Sequence, residues 1–162
     1  MTGASAETTV TLPSDRAVEL TRTLDAPREL VWDAFTKPEH VQQWLLGPDG
    51  WEMPICEIDL RPGGSWRYGW RSVDGSGEPF ELRGEFREIA APERIVHTER
   101  MGDSPEAVAT LVLTEANGRT TMTQTVEYPS QEIRDHVLAT GMTDGAGTSY
   151  SRLADYLKTV TR

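Results

Sequence analysis

The sequence predicts an α+β fold: a curved antiparallel sheet of about seven strands, two short helices near the start, and a long C-terminal helix lying over the sheet. Three observations carry this reading. Ala17 to Leu24 alternates, with Val18, Leu20 and Leu24 on one face and Glu19, Thr21 and Thr23 on the other, the period of a half-buried strand. Turn signals cut the stretch from Trp51 to Tyr128 into six short segments. After Pro129, apolar residues recur mostly every three or four positions, the spacing of one helix face.

Residues 1–15 are small, polar and Thr-rich and read as a loose tail that ends in a short edge strand; residues 16–160 then form a single domain. After the first alternating strand, Asp25 is the candidate N-cap of a helix with Pro27 in its first turn. Leu30, Val31, Ala34 and Phe35 fall at helical spacing, Pro38 restarts the chain, and Val41, Trp44 and Leu45 give a second short stripe. The run Gly47-Pro48-Asp49-Gly50 ends it. Among the later turns, Asn117-Gly118 between two alternating segments is the strongest hairpin signal, because both residues tolerate the positive φ of a tight turn. Ser130 is the candidate N-cap of the last helix, whose stripe runs Ile133, Val137, Met142, Ala146, Tyr150, Leu153, Leu157 and Val160. Gly141, Gly145 and Gly147 interrupt that pattern. They are read as a kink within one helix, with a break near Thr140 as the alternative.

Composition narrows the function classes. The formal net charge is −10, which disfavours nucleic-acid and anionic membrane partners, since both reward clustered Lys and Arg. No stretch approaches a membrane span, no secretory leader is read at the N-terminus, and Cys56 is the single cysteine. A cytoplasmic location is therefore expected. No cofactor or metal is expected either: His40, His97 and His136 lack metal-ligand spacing, and no phosphate loop, dinucleotide fingerprint or nucleophile elbow is present.

The residues that stand out are aromatic. Trp66, Tyr68 and Trp70 alternate along one strand and share a face. They form either a wall for a flat apolar ligand, ordinary core, or a packed face that leaves a homodimer open. His97 alternates with Ile95 and Glu99. It is either half of an inward acid–base pair or a hydrogen-bonded structural histidine. Glu81, Arg83, Glu85 and Arg87 share a face and read as a salt-bridged exterior. Cys56, with no base beside it, reads as buried filler.

Several stretches resemble a known family. These are Asp25 through Phe35 with Pro38-Glu39 and Trp44, Gly47 through Trp51 with Asp59 through Tyr68, Gly84 through Ile89 with Pro92 through Val96, and Gly145 through Leu157. Together they are similar to the activator of heat-shock protein 90 ATPase homologue-like family. That family lies within the SRPBCC, START or Bet v 1-like superfamily with its helix-grip fold. The resemblance spans about residues 16–160. It implies a hollow between sheet and last helix, often used for hydrophobic ligands, and supplies no catalytic set. The family's closing helix often carries Trp one residue after its first glycine and Leu four residues later. Ala146 and Tyr150 stand there in this chain, which implies a roomier, more polar hollow. The co-chaperone that names the family has a further domain before this one, and 15 residues are too few for it. A chaperone partner is therefore not expected to be the sole role.

The leading expectation is a protein that binds a hydrophobic or aromatic metabolite without turnover. The candidate cavity residues are Trp44, Trp66, Tyr68, Trp70, Phe86, Met122, Met142, Ala146 and Tyr150, with His97 and Gln124 as polar contacts. Two alternatives remain. One is an enzyme of polyketide cyclase, dehydratase or hydrolase type in the same cavity, using His97, Glu99 or Tyr150. The other is a co-chaperone-like interaction module, which needs an exposed apolar patch.

Overall fold

A computed structural model describes residues 8–160. Eight strands form one antiparallel sheet: β1 (Thr9–Thr11), β2 (Ala17–Leu24), β3 (Trp51–Ile58), β4 (Ser65–Ser72), β5 (Phe80–Ala90), β6 (Arg94–Glu99), β7 (Ala107–Ala116) and β8 (Arg119–Glu127). Their order across the sheet is β1-β2-β8-β7-β6-β5-β4-β3. Between β2 and β3 lie α1 (Arg28–Thr36) and α2 (Pro38–Trp44); after β8 come α3 (Gln131–Ala139) and α4 (Met142–Val160). Apart from the join of β2 to β8, every neighbouring pair is consecutive in sequence, as short hairpin connections dictate. The count exceeds the expected seven because it includes β1, the short edge strand expected at the end of the tail, where Val10 pairs with Leu20; residues 1–7 of that tail lie outside the described residues.

Asn117 and Gly118 both have positive φ, 57° and 76°, and they close the β7–β8 hairpin with Ala116 opposite Arg119, the twist-matched turn their sequence demands. Val18, Leu20 and Leu24 are fully buried, as their alternation requires. Arg22 shares that inward face and is also buried. Its Nη1 donates to Ser151 Oγ on α4 at 3.0 Å, while its Nε finds no acceptor among the described residues.

Two helix boundaries differ from expectation. Asp25 does not cap α1: Pro27 occupies the N-cap position. The first free N–H is instead taken by a residue distant in sequence, Glu115, whose carboxylate accepts from Arg28 N at 2.7 Å. The last helix is broken rather than kinked. Ser130 caps α3 by accepting from Ile133 N, but Gly141 adopts φ +83°, a left-handed conformation that ends α3 before α4 restarts. Gly145 and Gly147 lie inside the 19 residues of α4.

The main core lies between the inner face of the sheet, α1 and α4. Val18, Leu20, Leu24, Leu113, Met122, Leu153 and Leu157 are among its most deeply buried apolar members. A smaller cluster of Val41, Met53 and Trp70 joins α2 to the far edge of the sheet. Cys56 packs at its margin and is half-buried, not wholly buried filler. Glu81, Arg83, Glu85 and Arg87 are exposed on β5; Arg67 Nε pairs with Glu81 at 3.0 Å and Arg87 with Glu106 at 3.3 Å.

Candidate functional site

The core does not fill the space beneath the first half of α4. A cavity of about 470 Å³ remains there, within the ordinary range for small-molecule sites. Its floor is the inward face of β4, β5 and β6. Alternation places Trp66, Tyr68 and Trp70, then Phe86, then Ile95, His97 and Glu99 on that face, and all of them border the cavity. Phe35 and Trp44 close it from α1 and α2, while Met142, Ala146 and Tyr150 form the roof from α4. Leu60 and Phe80 border the cavity yet are more than a third exposed, marking its opening.

The rings form a continuous surface. Trp66 and Tyr68 lie 4.7 Å apart by ring centroid, Tyr68 and Trp70 6.0 Å, and Trp66 and His97 5.1 Å, edge to face. Opposite them Trp44 contacts Tyr150 at 6.1 Å and Phe35 at 4.9 Å. These are favourable aromatic spacings, and they line the cavity with rings from both the sheet side and the helix side.

Trp44, Trp66 and Trp70 use their N–H groups to hold position. Trp44 Nε1 donates to Ala34 O at 2.9 Å, Trp66 Nε1 to Thr98 O at 3.1 Å and Trp70 Nε1 to Leu45 O at 2.8 Å. Each ring is fixed and presents only carbon to the cavity. The bond from Trp66 depends on Gly84, its cross-strand neighbour. A Cβ at residue 84 would sit 1.8 Å from Thr98 O and 2.7 Å from Trp66 Nε1.

The polar groups behave differently. The hydroxyls of Tyr68 and Tyr150 and the amide of Gln124 border the cavity without a protein hydrogen-bond partner among the described residues. Burial, with the negative charge of Glu99 adding to it, pushes both tyrosine hydroxyls well above their ordinary ionisation range. They remain protonated donors at any physiological pH. His97 Nε2 lies 3.6 Å from Glu99 Oε1. His97 and Glu99 are the ionisable acid–base groups at the cavity besides these tyrosines.

Met122 departs from the cavity set. It faces inward on β8 but is fully buried in the core opposite Leu113, because the close-packed C-terminal half of α4 covers that end of the sheet. Gln124, two residues along, reaches the cavity. Sequence reasoning overlooked the rim. Arg152 of α4 donates from Nη1 to Trp44 O and from Nη2 to Gly47 O and Asp49 Oδ1, each at 3.1 Å. Buried Ser149 accepts from Gly47 N at 2.8 Å. Together they tie the loop after α2 to the roof. The only signal for this in the sequence is a Ser and an Arg spaced three apart on the inner side of an amphipathic helix.

An open antiparallel sheet wrapped around a long terminal helix, with a cavity between them, defines a helix-grip domain, a scaffold used in general for holding ligands. The family model described as Activator of Hsp90 ATPase homolog 1-like protein matches residues 25–158, and the chain belongs to that family. Among solved structures it is similar to a Rhodobacter sphaeroides protein at 28% identity and TM-score 0.87, covering 95% of this chain and 99% of that one. A Nitrosomonas europaea protein is 27% identical at TM-score 0.81, covering 91% and 97%. An AHSA1-like protein from Aeromonas hydrophila, 20% identical at TM-score 0.67 over 86% and 94%, shares the fold. No curated protein matches the chain. Among the described residues no helix is long and apolar enough to cross a membrane, and no cluster of His, Cys, Asp or Glu could hold a metal.

Proposed function

We propose that this protein is a cytoplasmic carrier or sensor of a small hydrophobic, aromatic metabolite, held between the β4 floor and the α4 roof. The observation that carries the proposal is the division of labour in the cavity. Fixed indole faces supply apolar contact, and the Tyr68 and Tyr150 hydroxyls and Gln124 amide stand ready for the ligand's polar atoms. A pocket that is mostly apolar, with a few convergent polar groups, is the usual form of a small-molecule site. An exposed apolar patch, which the interaction-module alternative needs, finds less support: Trp70 is buried and Trp51 half-buried against Phe80.

The test is titration with the neutral fluorescent probe N-phenylnaphthylamine. The wild type binds one probe per chain with enhanced emission. Ala146→Trp, which projects an indole from the roof into the cavity, abolishes binding while the circular dichroism spectrum is retained. Equal binding by both proteins places the probe elsewhere and removes the support for the cavity.

One observation favours a second reading, an enzyme of cyclase, dehydratase or hydrolase type. The His97–Glu99 pair stands on the cavity wall at a separation of 3.6 Å, where a neutral imidazole could take up a proton with the carboxylate beside it. Turnover of a bound ligand that disappears in His97→Ala, with binding retained, is the signature of that role.

A further inference from the structure

The charges around the cavity say more about the ligand. Among the described residues no Lys or Arg lines it. The one carboxylate there, Glu99, is about three-quarters buried, and its ion-pair partner among the described residues is His97. Two protonation states follow. With His97 neutral, the cavity carries one negative charge. With His97 protonated, the pair sums to zero. In neither state does an unmatched positive charge face a bound anion, because any charge on His97 already lies 3.6 Å from Glu99, so a ligand carboxylate, sulfonate or phosphate would lose its hydration with little to replace it.

A cationic ligand meets the opposite conditions. Glu99 accepts a charge-assisted hydrogen bond from an ammonium group, stronger than a neutral pair. The faces of Trp66 and Tyr68 attract a cation through the ring quadrupole. The two rings lie 4.7 Å apart and Trp66 contacts His97 at 5.1 Å, so aromatic faces and carboxylate share one end of the cavity. The chain's net charge of −10 draws cations toward the protein and repels anions.

Building on the cavity-binding reading above, we propose that the ligand is an arylalkylamine: a flat apolar body between the two aromatic walls, with its protonated side-chain nitrogen against Glu99. The cavity selects it over carboxylates of the same shape. His97, 3.6 Å from Glu99, is the neighbour that the ligand's ammonium group replaces at the carboxylate.

The experiment displaces N-phenylnaphthylamine from the wild type, Glu99→Gln and His97→Gln with a matched series of naphthylethylamine, naphthylethanol and naphthylacetate. In the wild type the amine binds about ten-fold or more tighter than the carboxylate, the discrimination expected of a hydrogen bond to a charged group, with the alcohol between them. Glu99→Gln removes the preference of amine over alcohol and leaves the alcohol's affinity within about two-fold, a change that a mere folding defect does not produce. His97→Gln retains or widens the preference. A carboxylate that binds as tightly as the amine overturns the proposal, as does an amine-to-alcohol ratio unchanged in Glu99→Gln; in both cases the cavity-binding reading survives. Failure of a folded wild type to bind the probe or any of the three overturns both.

Discussion

The glycines of the last helices give the sharpest test of the structure, because substitution to alanine changes sign along a few residues. At Gly145 the nearest atom to an added Cβ is Pro48 Cδ at 3.9 Å, and at Gly147 it is Thr8 at 3.9 Å. Both lie inside α4, and both contacts are ordinary van der Waals distances. Each substitution should therefore recover the helix-propensity difference, about 1 kcal/mol, which for a domain of this size raises Tm by about 2–4 °C. Gly141 reverses the sign. Nothing lies within 4 Å of its Cβ, but φ is +83°, and alanine in that region costs roughly 1–2 kcal/mol, lowering Tm by a similar amount or more. Urea unfolding with a thermal melt measures all three. Destabilisation at both residues 145 and 147, or stabilisation at 141, would refute the placement of the break and the start of α4 at Met142.

Four further outcomes follow from the same geometry. Gly84→Ala should cost about 3 kcal/mol, since the new Cβ lies 1.8 Å from Thr98 O; urea unfolding reads the loss, and altered tryptophan emission reports the broken Trp66 bond. Arg22→Met should leave stability unchanged or raise it in the same assay, because burial already disfavours the guanidinium and its Nε is unpartnered, whereas an apolar chain of similar length fills the site. Tyr150→Phe should weaken a hydrogen-bonding ligand about 2–10-fold by calorimetry without lowering Tm, since the hydroxyl has no protein partner to lose. Burial, together with Glu39 and Glu57, pushes the Cys56 thiol from 9.0 up to about 11. The unfolded chain therefore loses that proton first, and stability declines as pH rises from 9 toward 11. Cys56→Ala should delay the onset of the decline to about pH 10, where the buried tyrosines begin to contribute in the same direction.

What could be read from the sequence was whatever local chemistry decides. The alternation of Val18, Leu20 and Leu24, the Asn117-Gly118 turn and the Ser130 cap each rest on a few neighbouring residues, and each stands in the structure as its chemistry requires. The aromatic face of Trp66, Tyr68 and Trp70 was equally legible, because a strand period of two fixes which residues share a side. What it faced was not legible, since an inward wall reads the same whether the space beyond it is filled or hollow. Met122 and Gln124 show the limit. Both point inward on β8, yet one is buried core and the other lines the cavity, a difference set by which half of α4 lies above them. The cap on α1 was equally hidden, because Glu115 comes from a hairpin 87 positions away. Alternation puts Arg22 on the face of Val18, Leu20 and Leu24, but its partner, Ser151 on α4, lies 129 positions away and could not be read from the strand.

The contrast between Met122 and Gln124 has one cause, the two halves of α4. Its C-terminal half is ordinary core: Leu153 and Leu157 are fully buried against a floor that includes Leu20, Leu24 and Met122. Its N-terminal half presents Gly145 and Ala146, residues too small to reach the sheet, and so leaves the space they roof unfilled. Collapse of the helix onto the floor would close that space. It is opposed by the rim, where Arg152 and Ser149 hold α4 to Gly47 and to the end of α2, and by fixed indoles that cannot swing inward without breaking their bonds to carbonyls. A packed interior normally has no tolerance for a void of this size. Here small side chains create it and hydrogen bonds at its edge maintain it. The same helix thus contributes stability at one end and forgoes it at the other, and the residues that forgo it face the aromatic wall.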